Sequence, residues 1–336
     1  MNFTKLLFLF FTFLCISSLS ITFNVKKQIK KHDNINVQKS IITQIDDPHP
    51  NYQNYNNIIK QLKEWENNSK ELTEVGVYGK TTKSSDLYYI RINNSRKKEN
   101  KPTVLITACI HGNEPLATST TMWFIGSMLK QYNYNIDVKN LVDSRDIYFI
   151  PVVSPDSYPF SRYVDGVDPN RNFPTSVQPD KKSVKPIDEL QKFFLKIKPN
   201  AVISGHTFGR VFLMPYGDKM MNSENHQDYK NIFQKMCELS GYKYMRVCDM
   251  YKSNGGLNSA VVKTFRKPIN EYKVSVPIFG TEIDWYYRNN SFPIVIEYGT
   301  HQKIPSRKDI EFEYKKTYEA VLCFIKEAPL INVNNK

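Results

Sequence analysis

The pair His111 and Glu114 has the residue types and the spacing of a metal site. Histidine nitrogen and carboxylate oxygen are ligands of catalytic zinc, which takes three protein ligands and keeps one position open. The same H-x-x-E pattern also arises by chance. A histidine in a loop is then followed by a glutamate in the first turn of a helix, where the helix dipole favours a negative charge. The pair alone is therefore a weak signal, and its meaning depends on the elements that position it.

The residues on either side of this pair predict a strand followed by a helix. The run Val104–Ile110 is apolar and rich in β-formers, which is typical of a buried strand ending at His111. Pro115 opens a helical pattern of apolar residues that continues to about Leu129, with Asn113 as the candidate N-cap. Ligands in open α/β sheets bind where the strands end, so the pair is predicted at a ligand-binding edge.

Two further apolar runs end in residues of the same chemical types. Ala201–Ser204 leads into His206, and Pro293–Ile296 leads directly into Glu297. A single histidine or glutamate at a strand end is common in protein cores. Together with His111, however, three strand ends carry side chains that suit a zinc site, and this coincidence indicates one shared site.

Apolar periodicity divides most of the remaining sequence into alternating strands and helices. Such alternation implies a three-layer α/β/α sandwich around a mixed, mostly parallel twisted sheet. Gly241 follows the predicted helix Tyr229–Cys237 and is its candidate C-cap. The predicted strands are the hairpin Val75–Tyr78 and Leu87–Ile92, then Asp146–Val153, Ala201–Ser204, Val211–Met214 and Phe292–Glu297; the predicted helices are Ile58–Trp65, Ile187–Ile197, Tyr229–Cys237 and Ile310–Ile325.

These positions resemble a known enzyme family, the zinc metallocarboxypeptidases of the carboxypeptidase A-like type (peptidase family M14). His111 and Glu114 match the H-x-x-E pair of the family, and His206 matches its third zinc ligand. The turn Leu213-Met214-Pro215-Tyr216-Gly217, beyond His206, is also similar to the family pattern. The resemblance extends approximately over residues 52–326, and it implies that the three side chains bind one Zn²⁺ per chain and that the fold is metallocarboxypeptidase-like.

The resemblance also implies roles for residues outside the metal site. Glu297 matches the catalytic glutamate that takes a proton from the attacking water, and Arg162 resembles the arginine that stabilises the oxyanion. Asn170 and Arg171 match the pair that binds the terminal carboxylate of the substrate, for which a planar guanidinium is well suited. Ile283 resembles the specificity-pocket position, where it favours apolar or aromatic C-terminal residues. The implied substrates are peptide or protein C-termini.

Some features depart from the family pattern. The position of the mobile active-site tyrosine holds Val276, and the nearby Tyr272 is out of register. Glu282, next to Ile283, leaves open a preference for basic C-terminal residues instead of apolar ones. Only residues 21–50 separate the predicted signal from the catalytic domain, so we expect a member without a large inhibitory pro-domain.

Two other functions remain open on the same fold. A zinc-dependent deacylase or amidase would act on N-acyl amino acids or cell-wall peptides, because the Gly112-Asn113 pair also occurs in such enzymes. A catalytically inactive binding domain would keep the fold without the chemistry. The filled catalytic positions disfavour the inactive domain, and the turn at Pro215 together with the Asp284-Trp285 pair favours a peptidase.

The first residues have the features of a cleaved signal peptide. Lys5 provides the positive charge, Leu6–Ile16 the apolar core, and Ser18-Leu19-Ser20 the small residues before the cleavage point. No later stretch is apolar enough for a membrane span. We therefore expect a protein of the secretory route, located outside the cell or in a lysosome-like compartment. The predicted layout is a signal peptide at 1–20, a polar leader or short pro-segment at 21–50, and the zinc carboxypeptidase catalytic domain at 51–330.

The charge of the chain does not indicate a nucleic-acid partner. The formal net charge is +13, but the lysines are spread along the sequence without a basic stripe interleaved with aromatic residues. A basic solvated surface explains this distribution. We expect a monomer that acts on peptides, without nucleic acid and without a stable membrane span.

Cysteines and sequons agree with the secretory route. The short loop between Cys237 and Cys248 favours a disulfide between them, whereas Cys109 and Cys323 lie in apolar runs typical of buried thiols. Sequons predict a glycoprotein. They occur at Asn67, Asn93 and Asn289.

Overall fold

The computed structural model describes residues 53–96, 100–250, 276–302 and 304–333. These residues form one mixed sheet of eight strands with helices on both faces. The predicted signal peptide and leader, and also Tyr272, lie outside the described residues. Among the helices that are described, none is long and apolar enough to cross a lipid bilayer.

The spatial order of the strands differs from their order in the chain. The strands are β1 (Thr73–Lys80), β2 (Asp86–Ile92), β3 (Thr103–Ala108), β4 (Asp146–Ile150), β5 (Ala201–Thr207), β6 (Val211–Met214), β7 (Lys243–Arg246) and β8 (Phe292–Tyr298). In the sheet they follow the order β1-β2-β4-β3-β5-β8-β6-β7. The inner strands β4, β3, β5 and β8 are parallel, β1 and β2 form the predicted hairpin, and β6 is antiparallel to β8. The prediction of a mixed, mostly parallel sheet is confirmed.

The helices cover the sheet in two layers. They are α1 (Tyr55–Asn68), α2 (Pro115–Gln131), α3 (Ile136–Ser144), α4 (Lys185–Ile197), α5 (His226–Ser240), α6 (Val247–Met250), α7 (Glu282–Arg288) and α8 (Arg307–Glu327). On one face, Phe194 of α4 stacks on Tyr286 of α7. On the other face, Phe292 of β8 contacts Tyr229 of α5 and Phe324 of α8. The predicted α/β/α sandwich is therefore confirmed.

The pleat of the central strands places His206 and Glu297 on the same face of the sheet. Their Cα atoms are direct partners in the register between β5 and β8, as are those of Val202 and Pro293. Residues at i, i+2 and i+4 of a strand face the same side, so His206 shares its face with Val202, which belongs to the core beneath α4. The sheet thus presents both candidate site residues at the carboxyl ends of adjacent parallel strands.

Two predicted strand ends are wrong by two or three residues. β3 ends at Ala108 instead of Ile110, because Cys109 has a φ of 55°, which lies outside the β region. β4 stops immediately before Pro151 instead of continuing to Val153, because proline has no N–H to donate to a neighbouring strand. Both corrections place the residues that follow in loops at the carboxyl edge of the sheet.

The favoured disulfide is also wrong. Cys237 on α5 and Cys248 in α6 are both free thiols. Between them the chain forms β7, which pairs in parallel with β6, so the intervening residues run along the sheet and do not close a short loop. Cys109 is a buried thiol, as expected, and Cys323 is partly buried.

Candidate active site

The structure brings His111, Glu114 and His206 together in one buried cluster. His111 Nδ1 lies 2.9 Å from Glu114 Oε1, and His206 Nδ1 lies 2.9 Å from Glu114 Oε2. The potential ligand atoms of the three side chains all lie within 4.8 Å of one another. Two imidazole nitrogens and a carboxylate oxygen form the His₂Glu donor set of catalytic zinc sites, and their proximity fits a single ion.

The turn between β3 and α2 directs His111 and Glu114 to the same point. The Cys109 thiol donates to the carbonyl oxygen of His111 at 3.1 Å, and the Glu114 N–H donates to the same oxygen at 3.2 Å. The N-cap of α2 is Glu114, and its side chain makes no capping bond. The prediction of Asn113 as the N-cap is therefore wrong, because α2 begins directly after Glu114, whose carboxylate is held by the two histidines.

Neighbouring donors fix the Glu114 carboxylate between these histidines. The Thr207 N–H donates to Oε2 at 3.2 Å, and Gln302 Nε2 donates to Oε1 at 3.3 Å. Burial opposes the ionisation of Glu114, but His206 and His111 outweigh it and hold its pKa at about 2. The carboxylate is thus anionic at neutral pH, as a metal ligand must be.

Each histidine of the cluster also contacts a second carboxylate. His111 Nε2 lies 3.0 Å from Asp168 Oδ1, and His206 Nε2 lies 2.7 Å from Glu282 Oε1. Neither Asp168 nor Glu282 was among the predicted site residues, because these contacts join positions 57 and 76 residues apart. The sequence signal for Asp168 is its position directly before Pro169, in the segment that also contains the predicted site residues Asn170 and Arg171.

Glu297 lies beside the cluster at the end of β8. It is buried, and its Oε2 has no hydrogen-bond partner within the described residues. Burial is the main reason that its pKa is raised to about 8; His206 lowers this pKa, and the nearby Glu114 raises it. In its ionised form, a buried carboxylate with an unpartnered oxygen next to such a cluster can accept a proton from a reacting molecule there.

Arg162 is attached to the same cluster through Asp168. Its Nε and Nη2 donate to Asp168 Oδ2 at 3.0 and 2.8 Å, and its Nη1 lies 3.9 Å from Glu114 Oε1. Burial opposes the ionisation of Asp168, but His111 and Arg162 outweigh it and hold its pKa well below the usual range. A guanidinium fixed in this way can stabilise negative charge that develops near the cluster.

The predicted carboxylate-binding pair lies in a short 3₁₀ helix, Pro169–Arg171. The Asn170 N–H donates to Asp168 Oδ1 at 3.0 Å, and Asn170 Oδ1 accepts the N–H of Glu282 at 2.9 Å. Arg171 is half-buried, and its Nη1 donates to the backbone oxygen of Asn170 at 2.6 Å. The loop is thereby connected to the histidine cluster through Asp168 and to α7 through Glu282.

Gly280 allows the segment before α7 to approach this loop. Its φ is 75°, and a Cβ at this position would lie 2.5 Å from the backbone oxygen of Arg171. Gly166 has a similar φ of 79° but no atom within 4 Å of its Cβ position. A positive φ costs a non-glycine residue about 1–2 kcal/mol.

We therefore expect Gly166→Ala to lower the free energy of unfolding by about 1–2 kcal/mol and Gly280→Ala to lower it by clearly more, because only the second adds a steric clash. Urea denaturation of the two variants beside the wild type measures the difference. Equal losses would show that the close approach at Arg171 adjusts without cost.

Ile283 lies in α7 and is only 2% exposed. Val295 is two residues before Glu297 on β8, so it faces the same side of the sheet as Glu297. Ile283 and Val295 belong to one apolar cluster, which therefore lies next to the Glu297 carboxylate. The carboxylate of Glu282, the residue before Ile283, contacts His206. The buried residues of the cluster are Val211, Leu213, Val247, Ile278, Ile283 and Val295.

Comparisons with known proteins identify relatives of this chain. The family Peptidase M14, described as zinc carboxypeptidase, matches residues 58–320. Metallocarboxypeptidase A of Trichophyton rubrum is 26% identical over 247 residues, which cover 61% of this chain and 58% of that protein. Carboxypeptidase B of Rattus norvegicus is 25% identical over 233 residues, which cover 57% of this chain and 55% of that protein.

Solved structures share the same fold. The crystal structure of thrombin activatable fibrinolysis inhibitor aligns with a TM-score of 0.69 and 16% identity, covering 91% of this chain and 80% of that chain. At this identity the likeness is evidence for the fold alone. The chain spans 58% of the length of its Trichophyton rubrum relative. Since the family match extends over residues 58–320, the chain belongs to the zinc carboxypeptidase family, Peptidase M14.

Proposed function

We propose that this chain is a zinc-dependent carboxypeptidase that removes C-terminal residues from peptides. The observation that carries the proposal is the buried cluster of His111, Glu114 and His206 with the Glu297 carboxylate beside it. Its support is the combination of a complete His₂Glu donor set and a separate buried carboxylate that no described residue engages at Oε2.

In this proposal, His111, Glu114 and His206 hold one zinc ion per chain. The histidines would bind through Nδ1, the nitrogen of each that faces Glu114, since their Nε2 atoms face other carboxylates. When bound, zinc would polarise the scissile carbonyl and lower the pKa of a coordinated water. The remaining steps depend on side chains of this chain.

Glu297 would act as general base and then as general acid. Its carboxylate would take a proton from the attacking water and later give that proton to the leaving amine, so it ends the cycle unchanged. Arg162, fixed by Asp168, would face the negative charge that develops on the carbonyl oxygen during the attack. Both groups are positioned before substrate arrives, which reduces the cost of reorganisation.

The substrate would be anchored by its terminal carboxylate. Arg171 would pair with that carboxylate through its guanidinium fork, and Asn170 would assist from the same 3₁₀ helix. The apolar cluster that contains Ile283 would favour apolar or aromatic C-terminal side chains. We also propose that the protein enters the secretory route with the domain layout predicted above and acts as a monomer.

One assay separates this function from its alternatives. Purified zinc-loaded protein is given a blocked dipeptide with a free terminal carboxylate, the amidated form of the same dipeptide, and an N-acetylated amino acid. A carboxypeptidase cleaves the first substrate much faster than the other two. Preferential hydrolysis of the N-acetylated amino acid would identify a deacylase, and no turnover of any substrate would indicate a binding domain.

Zinc binding itself gives a separate test. We expect about one tightly held zinc per wild-type chain and its loss in His111→Ala or His206→Ala, because each substitution removes one of three ligands. His226→Ala is the matched control, since His226 lies at the start of α5 and outside the cluster. Metal analysis after dialysis measures the content. Full zinc content in His206→Ala would remove that residue from the site.

A further inference from the structure

Glu282 is a buried carboxylate whose role the proposed reaction does not explain. It is 0% exposed, and Oε1 lies 2.7 Å from His206 Nε2. Its other side-chain contact is the hydroxyl of Tyr286, which donates to Oε2 over a long 3.4 Å. Within the part of the chain that the structure describes, no lysine or arginine forms an ion pair with this carboxylate.

Such a carboxylate is expensive to bury unless a positive group compensates for it. Removing a charge from water is unfavourable in proteins, and it is tolerated where the charge is paired or serves a metal. The strong partner that Glu282 has is the imidazole of His206, whose other nitrogen faces Glu114. A cation bound at Nδ1 of His206 would make the Nε2–H a stronger donor and so compensate for the buried carboxylate.

We propose that Glu282 is a positioning residue that orients His206 as a metal ligand. By accepting the Nε2–H, the carboxylate fixes the tautomer in which Nδ1 presents its lone pair towards Glu114. It also holds the plane of the imidazole ring and raises its basicity as a ligand. The inference rests on the proposed zinc function, and it excludes Glu282 as the residue that selects basic C-terminal side chains.

The surrounding backbone holds Glu282 in place for this role. Asn170 Oδ1 accepts its N–H at 2.9 Å, and Gly280, two residues earlier, lies against the backbone of Arg171. The arrangement also mirrors the other histidine, because Asp168 contacts His111 Nε2 at 3.0 Å. Each histidine of the cluster thus has Glu114 at one nitrogen and its own carboxylate at the other.

The test compares zinc affinity in Glu282→Gln, Glu282→Ala and the wild type by competition with a chromogenic chelator. Loss of such a partner commonly weakens metal binding by about 10- to 100-fold. We expect Glu282→Gln near the lower end, because glutamine keeps an acceptor but no charge, and Glu282→Ala near the upper end. The rise in melting temperature on adding zinc should shrink in the same order, while the metal-free Glu282→Gln protein stays folded by circular dichroism.

A matched control removes an equally buried carboxylate elsewhere. Glu313 is 1% exposed and contacts Arg210 and Tyr242, neither of which is a proposed site residue. Glu313→Gln should therefore retain wild-type zinc affinity. If Glu282→Gln does not fold, Glu282→Asp takes its place, because it keeps the charge but withdraws the carboxylate from His206; it should bind zinc about tenfold more weakly.

The outcomes separate this inference from the function on which it rests. Unchanged zinc affinity in the Glu282 variants would overturn the positioning role and leave the carboxypeptidase proposal intact. This holds whether or not the variants also lose a preference for substrates that end in lysine or arginine. A wild-type chain that binds no zinc would overturn the proposed function, and the inference with it. Weaker zinc binding in the Glu282 variants beside normal binding in Glu313→Gln supports the inference.

Discussion

Replacing Glu297 by glutamine is expected to lower kcat by about 10²–10⁴-fold and to leave the zinc content at the wild-type level. Glutamine has nearly the same shape but cannot take a proton from water, so the substitution removes the proposed general base alone. The loss should appear in kcat at saturating substrate, because the proposed anchoring of substrate by Arg171 would not involve this carboxylate.

The structure makes this substitution a clean one. Within the described residues, Glu297 Oε2 has no hydrogen-bond partner, so the substitution breaks no hydrogen bond at that atom. Glu313→Gln again serves as the control for loss of a buried carboxylate, and it should keep both activity and zinc. The measurements are steady-state kinetics on a free-acid peptide and metal analysis of the same samples. A Glu297→Gln enzyme that keeps most of its kcat would remove Glu297 from the role of general base.

Much of the candidate site could be predicted because its residues follow local patterns. Glu297 comes directly after one apolar run, and His206 follows another with only Gly205 between them. The parallel register between β5 and β8 then makes His206 and Glu297 neighbours. His111 also lies in the buried cluster with Glu114 and His206, although β3 ends three residues before it. This error did not matter, because the turn that starts at Cys109 still returns His111 and Glu114 to the carboxyl edge of the sheet.

The outer contacts of the site could not be predicted from the sequence. Asp168 and Glu282 reach the two histidines only after the chain has closed loops of 57 and 76 residues. No local pattern indicates which of many acidic residues will do so. In the sequence, the position of Glu282 next to Ile283 suggests a role in substrate selectivity, whereas in the folded structure its carboxylate contacts His206.

Helix α7 is not predicted by the sequence pattern, for a different physical reason. Its residues from Glu282 to Tyr287 are all buried, so the segment has no polar face and no helical period. In sequence it therefore resembled only a pocket segment around Ile283. Its burial comes from tertiary packing against α4, in which Phe194 contacts Trp285 and Tyr286.

The anchoring role proposed for Arg171 leads to the second large effect. Arg171→Ala should lower kcat/KM on a free-acid peptide by roughly 30-fold to several thousand-fold, because truncating one partner of a hydrogen-bonded charge pair costs about 2–5 kcal/mol and each 1.36 kcal/mol is a factor of ten. Amidation of the peptide should cost the wild type a similar factor, since it removes the charge that Arg171 would bind. In this proposal, correct placement of the scissile bond would depend on the same contact.

Two further variants define what the anchor requires. Arg171→Lys keeps the charge but loses the planar fork, so its kcat/KM on the free-acid peptide should lie between those of the wild type and Arg171→Ala. Arg91→Ala is the control for loss of a positive charge, because Arg91 pairs with Glu74 and Asp146 away from the candidate site. It should leave the ratio of free-acid to amide cleavage at the wild-type value.

The decisive quantity is the coupling between the Arg171 substitution and the amidation of the substrate. If both changes delete one interaction, Arg171→Ala acting on the amide should be little worse than either single change, and the coupling energy should approach the full single loss. Additive losses would mean that Arg171 stabilises the loop of Asn170 without binding the carboxylate. A wild-type enzyme that cleaves the free acid and the amide equally well would exclude a carboxypeptidase, because an enzyme that positions substrate by its terminal charge cannot ignore the loss of that charge.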